Sequence, residues 1–251
     1  MRDRYTCAAY RLRYVPDSPQ RSAKSRLRVA AVADVHSPRY LAEFRESLSK
    51  CDAPDLLLLA GDMIDSGKVS EYGNIIDAID SHFGSRIPIV ACFGNDENEE
   101  VRPDILRFLG DRVTFLDEQA FRVDLKVATV GIVGAPTLIG SDERPRSRGV
   151  RAIGKVFEKR IENLSRLLTE AAKTCIYTIL LMHYCPLLET ENGTHPDAFS
   201  WWVSKAVQNA EPDVIVYGHV HVSARPATRI GQIRAVNVAL PAVGRMTELQ
   251  L

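Results

Sequence analysis

The sequence predicts an α/β chain, α+β in the broad sense, with two mixed β-sheets flanked by helices. Three observations predict it. Apolar runs alternate with amphipathic stretches in the first and last thirds of the chain, the pattern of parallel strands joined by helices. In the middle, two apolar runs stand side by side with only Lys126 between them, which asks for an antiparallel pair and so for sheets that are not purely parallel. The 251 residues, 45% of them hydrophobic, are enough to bury a core of that size.

Residues 27–33 form a short apolar run that stops at Asp34, and Pro38 opens a helical pattern reaching Lys50. Residues 55–60 read as a buried strand ending at Gly61, 70–83 as a helix, and 87–93 as a strand ending at Gly94. The antiparallel pair falls at 121–125 and 127–133. A long amphipathic helix follows at 151–173, then a strand at 175–182 that stops at His183. Residues 197–209 read as a helix, 214–217 as a strand ending at Gly218, and 233–240 as the last strand. The Arg- and Ser-rich stretch 140–149 is the expected mobile loop, and 189–199 a second loop that shapes a pocket. With no repeat or low-complexity linker, residues 27–251 are expected to form a single domain after a basic extension at 1–26.

Charge and cysteine content narrow the function classes. Lys plus Arg and Asp plus Glu both number 32, so no global field draws the chain to nucleic acid or anionic lipid. The densest basic stretch, with Arg11, Arg13, Arg21, Lys24 and Arg26, reads as a solvated tail or an edge strand before it reads as a nucleic-acid arm. No run of eighteen apolar residues and no secretory h-region occurs, so no membrane partner is expected and the location is expected to be cytoplasmic. Cys7, Cys51, Cys92, Cys175 and Cys185 are scattered and never spaced C-x-x-C, which argues against a disulfide framework or a zinc–cysteine cluster.

Five strand ends each deliver side chains able to hold a metal: Asp34 and His36; Asp62 with Asp65; Asn95 with Asp96 and Glu97; His183; and His219 with His221. Loops at the carboxyl ends of strands converge in α/β architectures, so these distant residues are expected to meet. Carboxylates, imidazoles and one amide oxygen make a mixed donor set suited to manganese, iron, zinc or nickel rather than to magnesium or calcium alone. Manganese is favoured among these. Taken singly, Asp34, Asp62 and Asn95 read as readily as turn or cap residues. Capping, however, does not call for His-x-His after a glycine, and the joint pattern favours a metal site.

Asp34-Val35-His36, Gly61-Asp62-Met63-Ile64-Asp65, Gly94-Asn95-Asp96-Glu97, His183 and Gly218-His219-Val220-His221 resemble the ordered motifs of the calcineurin-like metallophosphoesterases. Each motif is short; all five in order make the resemblance specific. It implies a four-layer αββα sandwich with two divalent cations at one end. It also implies that Asp34, His36 and His221 hold one ion, Asn95, His183 and His219 the other, and that Asp62 bridges them. A hydroxide shared by the ions would attack phosphorus in line with the leaving oxygen. The substrate is then a small phosphate ester.

One departure is informative. Many members of that family have a histidine after the Gly-Asn, placed to protonate or stabilise the leaving group, and here the candidate catalytic residue at that position is Asp96. A carboxylate beside two dications is ionised and cannot donate a proton. A diester, with one negative charge at phosphorus instead of two, is repelled less, so a phosphodiesterase is expected. Asp65 and Glu97 are expected to orient ligands or loops. Arg39 is a candidate contact for the substrate phosphate, with a surface arginine at a helix start as the plainer reading. Tyr184 is ambiguous, His82 and His195 are unassigned, and of the adjacent Trp201 and Trp202 at least one is expected in the core. The competing readings are a scaffold that kept the fold and lost catalysis, which no missing ligand supports, and a nuclease, which the neutral charge disfavours.

Overall fold

The computed structural model describes residues 27–136, 150–186, 198–222 and 227–251. The extension at 1–26, the loop at 140–149 and most of 189–199 lie outside the described residues, as do Cys7, His195 and the side chain of Trp201. The first half of the chain runs β1 (Arg28–Val32), α1 (Leu41–Ser49), β2 (Leu56–Ala60), α2 (Glu71–Phe83), β3 (Ile89–Cys92), α3 (Arg102–Leu109) and β4 (Thr114–Phe115). The hairpin β5 (Gln119–Asp124) and β6 (Thr129–Gly134) follows. Next come α4 (Val150–Thr174), β7 (Tyr177–Leu181), α5 (Ala198–Asn209), β8 (Val214–Tyr217), β9 (Ala227–Ile230), β10 (Ile233–Asn237), α6 (Leu240–Val243) and β11 (Thr247–Gln250).

The strands form two sheets, in the orders β11-β1-β2-β3-β4 and β5-β6-β7-β8-β10-β9. Both are mixed: β1 to β4 run parallel with β11 antiparallel at the edge, and β6, β7, β8 and β10 run parallel between antiparallel β5 and β9. Strand β2 shows why the sheets stack. All five residues of Leu-Leu-Leu-Leu-Ala are buried, because both faces are covered. Leu56, Leu58 and Ala60 meet the other sheet, sharing a core with Ile179, Leu181, Val214 and Val216, while Leu57 and Leu59 pack under the helices with Phe44, Tyr72 and Ile75. On the far side, Leu180, Ile215 and Ala235 pack against Leu168 of α4 and Trp202 and Val203 of α5. The layers are therefore helix, sheet, sheet, helix. Trp202 is fully buried there, as expected for one of the tryptophan pair.

Two expected boundaries move, each for a local reason. The helix expected to open at Pro38 starts at Leu41, because Ser37 is tied to the loop after β2: its N–H donates to Met63 O (2.9 Å) and its carbonyl accepts from Asp65 N (3.0 Å). The last apolar run stops being a strand at Asn237, whose amide donates to Val220 O at 2.8 Å and whose Oδ1 accepts from Ala239 N at 3.0 Å. Pro241 then sits in the first turn of α6. No helix among the described residues is long and apolar enough to cross a membrane.

Candidate metal centre

The five strand ends reach one edge of the sandwich because of strand order. Strands β1, β2 and β3 are parallel neighbours in one sheet, and β7 and β8 are parallel neighbours in the other. Their registers keep the ends level: Ala60 pairs with Cys92, and Leu181 with Val216. Beyond the strands the loops are laced together, Asp34 N donating to Gly61 O (3.0 Å), His36 N to Asp62 O (3.0 Å) and Gly218 N to His183 O (2.9 Å).

All seven side chains named as candidate ligands come together. In one group, His221 Nε2 lies 3.0 Å from Asp34 Oδ1 and 3.4 Å from His36 Nε2. In the other, His183 Nε2 lies 3.1 Å from Asn95 Oδ1 and 3.3 Å from His219 Nδ1. Asp62 stands between them, its Oδ2 3.8 Å from His36 Nε2 and 3.4 Å from His183 Nε2. Asp34, His36 and His221, Asp34, Asp62 and His183, and His36, Asp62 and Asp96 each bring ligand atoms within 4.8 Å of one another, and Asn95 and His219 lie beside His183, so the residues present fit a pair of neighbouring cations. Asp34 is wholly buried and His183 nearly so, while His219 is exposed and opens the site to solvent.

The backbone accepts strain to achieve this. Asp34, His36, Asp62 and His219 all have positive φ, at 58°, 42°, 51° and 69°, in the left-handed region that side chains disfavour. Each such residue costs on the order of 1–3 kcal/mol, and such strain collects at functional sites because the surrounding structure holds it. Two glycines make room. A Cβ on Gly94 would overlap the carboxylate of Asp62, and one on Gly218 would come 2.6 Å from Asp34 Oδ2.

Hydrogen bonds fix the donors. Asp34 Oδ2 accepts from His219 N at 2.8 Å, and Asp62 Oδ1 from Asp96 N at 2.8 Å. His183 Nδ1 donates to Ala60 O at 2.9 Å, which turns Nε2 toward the site. Burial alone would lower the pKa of His183, yet hydrogen bonding and charge from Asp62, with Asp34 and the Ala60 carbonyl, push it up to about 9. Asp62 feels the same pair from the other side: burial raises its pKa, but His183, the Asp96 N–H and His36 hold it below the ordinary value. His221 is raised by its hydrogen bond to Asp34.

The remaining named residues fall in different places. Glu97 is wholly buried and accepts from Asp62 N (3.0 Å), Met63 N (2.9 Å), Gly94 N (2.6 Å) and the Tyr72 hydroxyl (2.6 Å), so it pins the loops after β2 and β3 together. Burial and the charge of Asp62 push its pKa up. Tyr72 was not singled out by sequence; the available signal was a tyrosine on the buried face of a helix, whose hydroxyl needs a partner. Asp65 accepts from the Ser66 hydroxyl at 3.0 Å and pairs with Arg39 (3.4 Å) and Lys68 (3.6 Å), both more than half exposed. The Asp96 carboxylate contacts His36 Nδ1 at 3.0 Å, Asn95 Nδ2 at 3.2 Å and Ser66 N at 3.3 Å. The Tyr184 ring lies tilted against His219, 4.6 Å between centroids, and His82 is remote, bonded to Cys51 O.

This architecture is shared with solved structures at low identity. The chain is similar to TT1561 of Thermus thermophilus, with a TM-score of 0.57 and 11% identity over 90% of this chain and 99% of that one. It is similar to a dimetal phosphatase from Danio rerio, with a TM-score of 0.57 and 11% identity over 84% of this chain and 86% of that one. It is also similar to GAP50, the anchor in the inner membrane complex of Plasmodium, with a TM-score of 0.56 and 12% identity over 88% of this chain and 73% of that one. A search of curated proteins finds no match. The model of the calcineurin-like phosphoesterase family matches residues 27–223, which takes in all five motifs and most of both sheets, and the chain belongs to that family.

Proposed function

We propose that the chain is a two-metal phosphoesterase that prefers small phosphodiesters. The observation that carries the reading is the position of Asp62 Oδ2, 3.4 Å from His183 Nε2 and 3.8 Å from His36 Nε2, one oxygen within reach of both donor groups. Asp34, His36 and His221 would hold one divalent cation and Asn95, His183 and His219 the other, manganese before iron, zinc or nickel. Two such ions supply Lewis acidity at phosphorus and a water made acidic enough to act near neutral pH. The chain does the rest. Exposed His219 leaves the site open to a substrate, and Arg39, whose side chain is 54% exposed and pairs with Asp65 at 3.4 Å, is the proposed contact for a substrate phosphate. The Danio rerio structure named a dimetal phosphatase supports the two-ion reading by analogy of fold.

The diester preference rests on Asp96, whose negative carboxylate beside the donors repels a dianionic monoester more than a singly charged diester. Turnover of a nitrophenyl diester and a nitrophenyl monoester by wild type and Asp96→His tests it. Wild type should favour the diester, and Asp96→His should shift the ratio toward the monoester. A strong monoester preference in the wild type would overturn the diester reading.

A further inference from the structure

Asp96 sits against both donor groups at once. Its Oδ2 is 3.0 Å from His36 Nδ1, and its Oδ1 is 3.2 Å from Asn95 Nδ2. A carboxylate only accepts, so the proton on the His36 ring belongs on Nδ1. That leaves the lone pair of Nε2 facing Asp34, Asp62 and His221, at 3.7, 3.8 and 3.4 Å. The same logic sets Asn95: with its NH2 given to Asp96, its Oδ1 is the atom 3.1 Å from His183 Nε2. The backbone of residue 96 adds a third tie. Its N–H donates to Asp62 Oδ1 at 2.8 Å, leaving Oδ2 of that carboxylate toward the two histidines. Ser66 N, 3.3 Å from Oδ2, helps to hold the bracket itself.

We infer that Asp96 is a positioning residue that orients one ligand of each cation, His36 for one and Asn95 for the other, so that a single carboxylate sets the affinity of both metal subsites. The inference rests on the proposed reading of the site as a two-metal centre. It gives the aspartate after Gly-Asn a task that a histidine there would not perform, since a neutral imidazole offers one acceptor and Asp96 serves two donors on separate oxygens.

Calorimetric titration of the metal-free protein with manganese tests it, on wild type, Asp96→Ala, Asp96→Asn and Asp62→Asn. Losing a hydrogen-bonded partner of a ligand typically costs about 10- to 100-fold in metal affinity, so Asp96→Ala should weaken both binding steps by that factor. Asp96→Asn keeps one acceptor oxygen and turns an NH2 toward the other donor, so one step should weaken and the other stay near wild type. The side chain of Asp96 is 27% exposed but accepts from three donors, so the metal-free melting temperature of Asp96→Ala should fall by about 2–4 °C with the protein still folded. If Asp96→Ala binds both ions within about twofold of wild type while Asp62→Asn loses binding, the bracket is wrong and the metal centre stands. A loss confined to one step in Asp96→Ala also overturns the double role. If wild type takes up no manganese and, titrated in the same way, no zinc or nickel, both the bracket and the two-metal reading fall.

Discussion

Gly94 stands where a side chain would displace the Asp62 carboxylate, so the loop after β3 can only approach β2 this closely with glycine at that position. Gly94→Ala should therefore remove metal-dependent hydrolysis as completely as loss of a ligand, while the strands behind it stay folded; circular dichroism with an ester assay checks both. Asp62→Asn and His183→Ala should each cut turnover by more than the roughly 10- to 100-fold that loss of an outer partner costs, because each removes a donor itself. His183 also predicts a pH dependence. In the metal-free chain its pKa is pushed up to about 9, so a proton occupies the nitrogen proposed to hold a cation. A ligand must be deprotonated, and apparent manganese affinity should rise with pH until about 9 and then flatten, with proton release measurable by calorimetry in buffers of different ionisation enthalpy. The fold feels the opposite trend: stability from the protonated His183–Asp62 pair is fully present below the unfolded histidine value near 6.5 and is lost as pH rises through about 9. Metal-free protein should melt lower at pH 9 than at pH 6.5.

Strands carry their own evidence at the scale of the element. Residues 55–60 could be read as a buried strand because no polar residue follows Asp55 before Gly61, and the strand observed at Leu56–Ala60, buried at all five positions, bears this out. Leu58→Ala should cost about 2–5 kcal/mol of stability, read from denaturant midpoints, without touching a donor. The strand ends were legible for the same reason: each apolar run stops abruptly at Asp34, Gly61, Gly94, His183 or Gly218. The elements that escaped notice are those with little to bury. Strand β11 buries only Leu249 of its four residues, β9 buries none, and α3 shows its face through Ile105 and Leu109 alone. Periodicity over so few positions does not separate a short element from a loop. The late start of α1 was illegible because its cause is the backbone pairing of Ser37 with Met63 and Asp65, residues more than twenty positions away.

At the scale of the whole molecule, the sequence carried the chemistry of the site but not the arrangement that assembles it. Nothing local says that β7 and β8 belong to a second sheet facing β1, β2 and β3; the resemblance of the ordered motifs supplied that expectation, and the shared core of Leu56, Leu58, Ile179 and Val214 explains it physically. Asp65 and Arg39 show the converse. Their types and spacing drew notice in the sequence, and the fold adds what spacing does not show, that Asp65 pairs with Arg39 at 3.4 Å and with Lys68 at 3.6 Å. Because the donors come from both sheets, bound metal should tie the sandwich together. Manganese at 100 times the dissociation constant of a site should add about 2.7 kcal/mol for each ion bound, raising the melting temperature by roughly 5–11 °C per ion, and chelation should reverse it.

The most direct measurement is anomalous X-ray scattering from crystals grown with manganese. Two peaks about 3.5–4 Å apart are expected. One should lie among Asp34, His36 and His221, the other among Asn95, His183 and His219, with Asp62 Oδ2 between them. A single peak, or none within this cluster while metal-dependent hydrolysis persists, would contradict the two-metal reading.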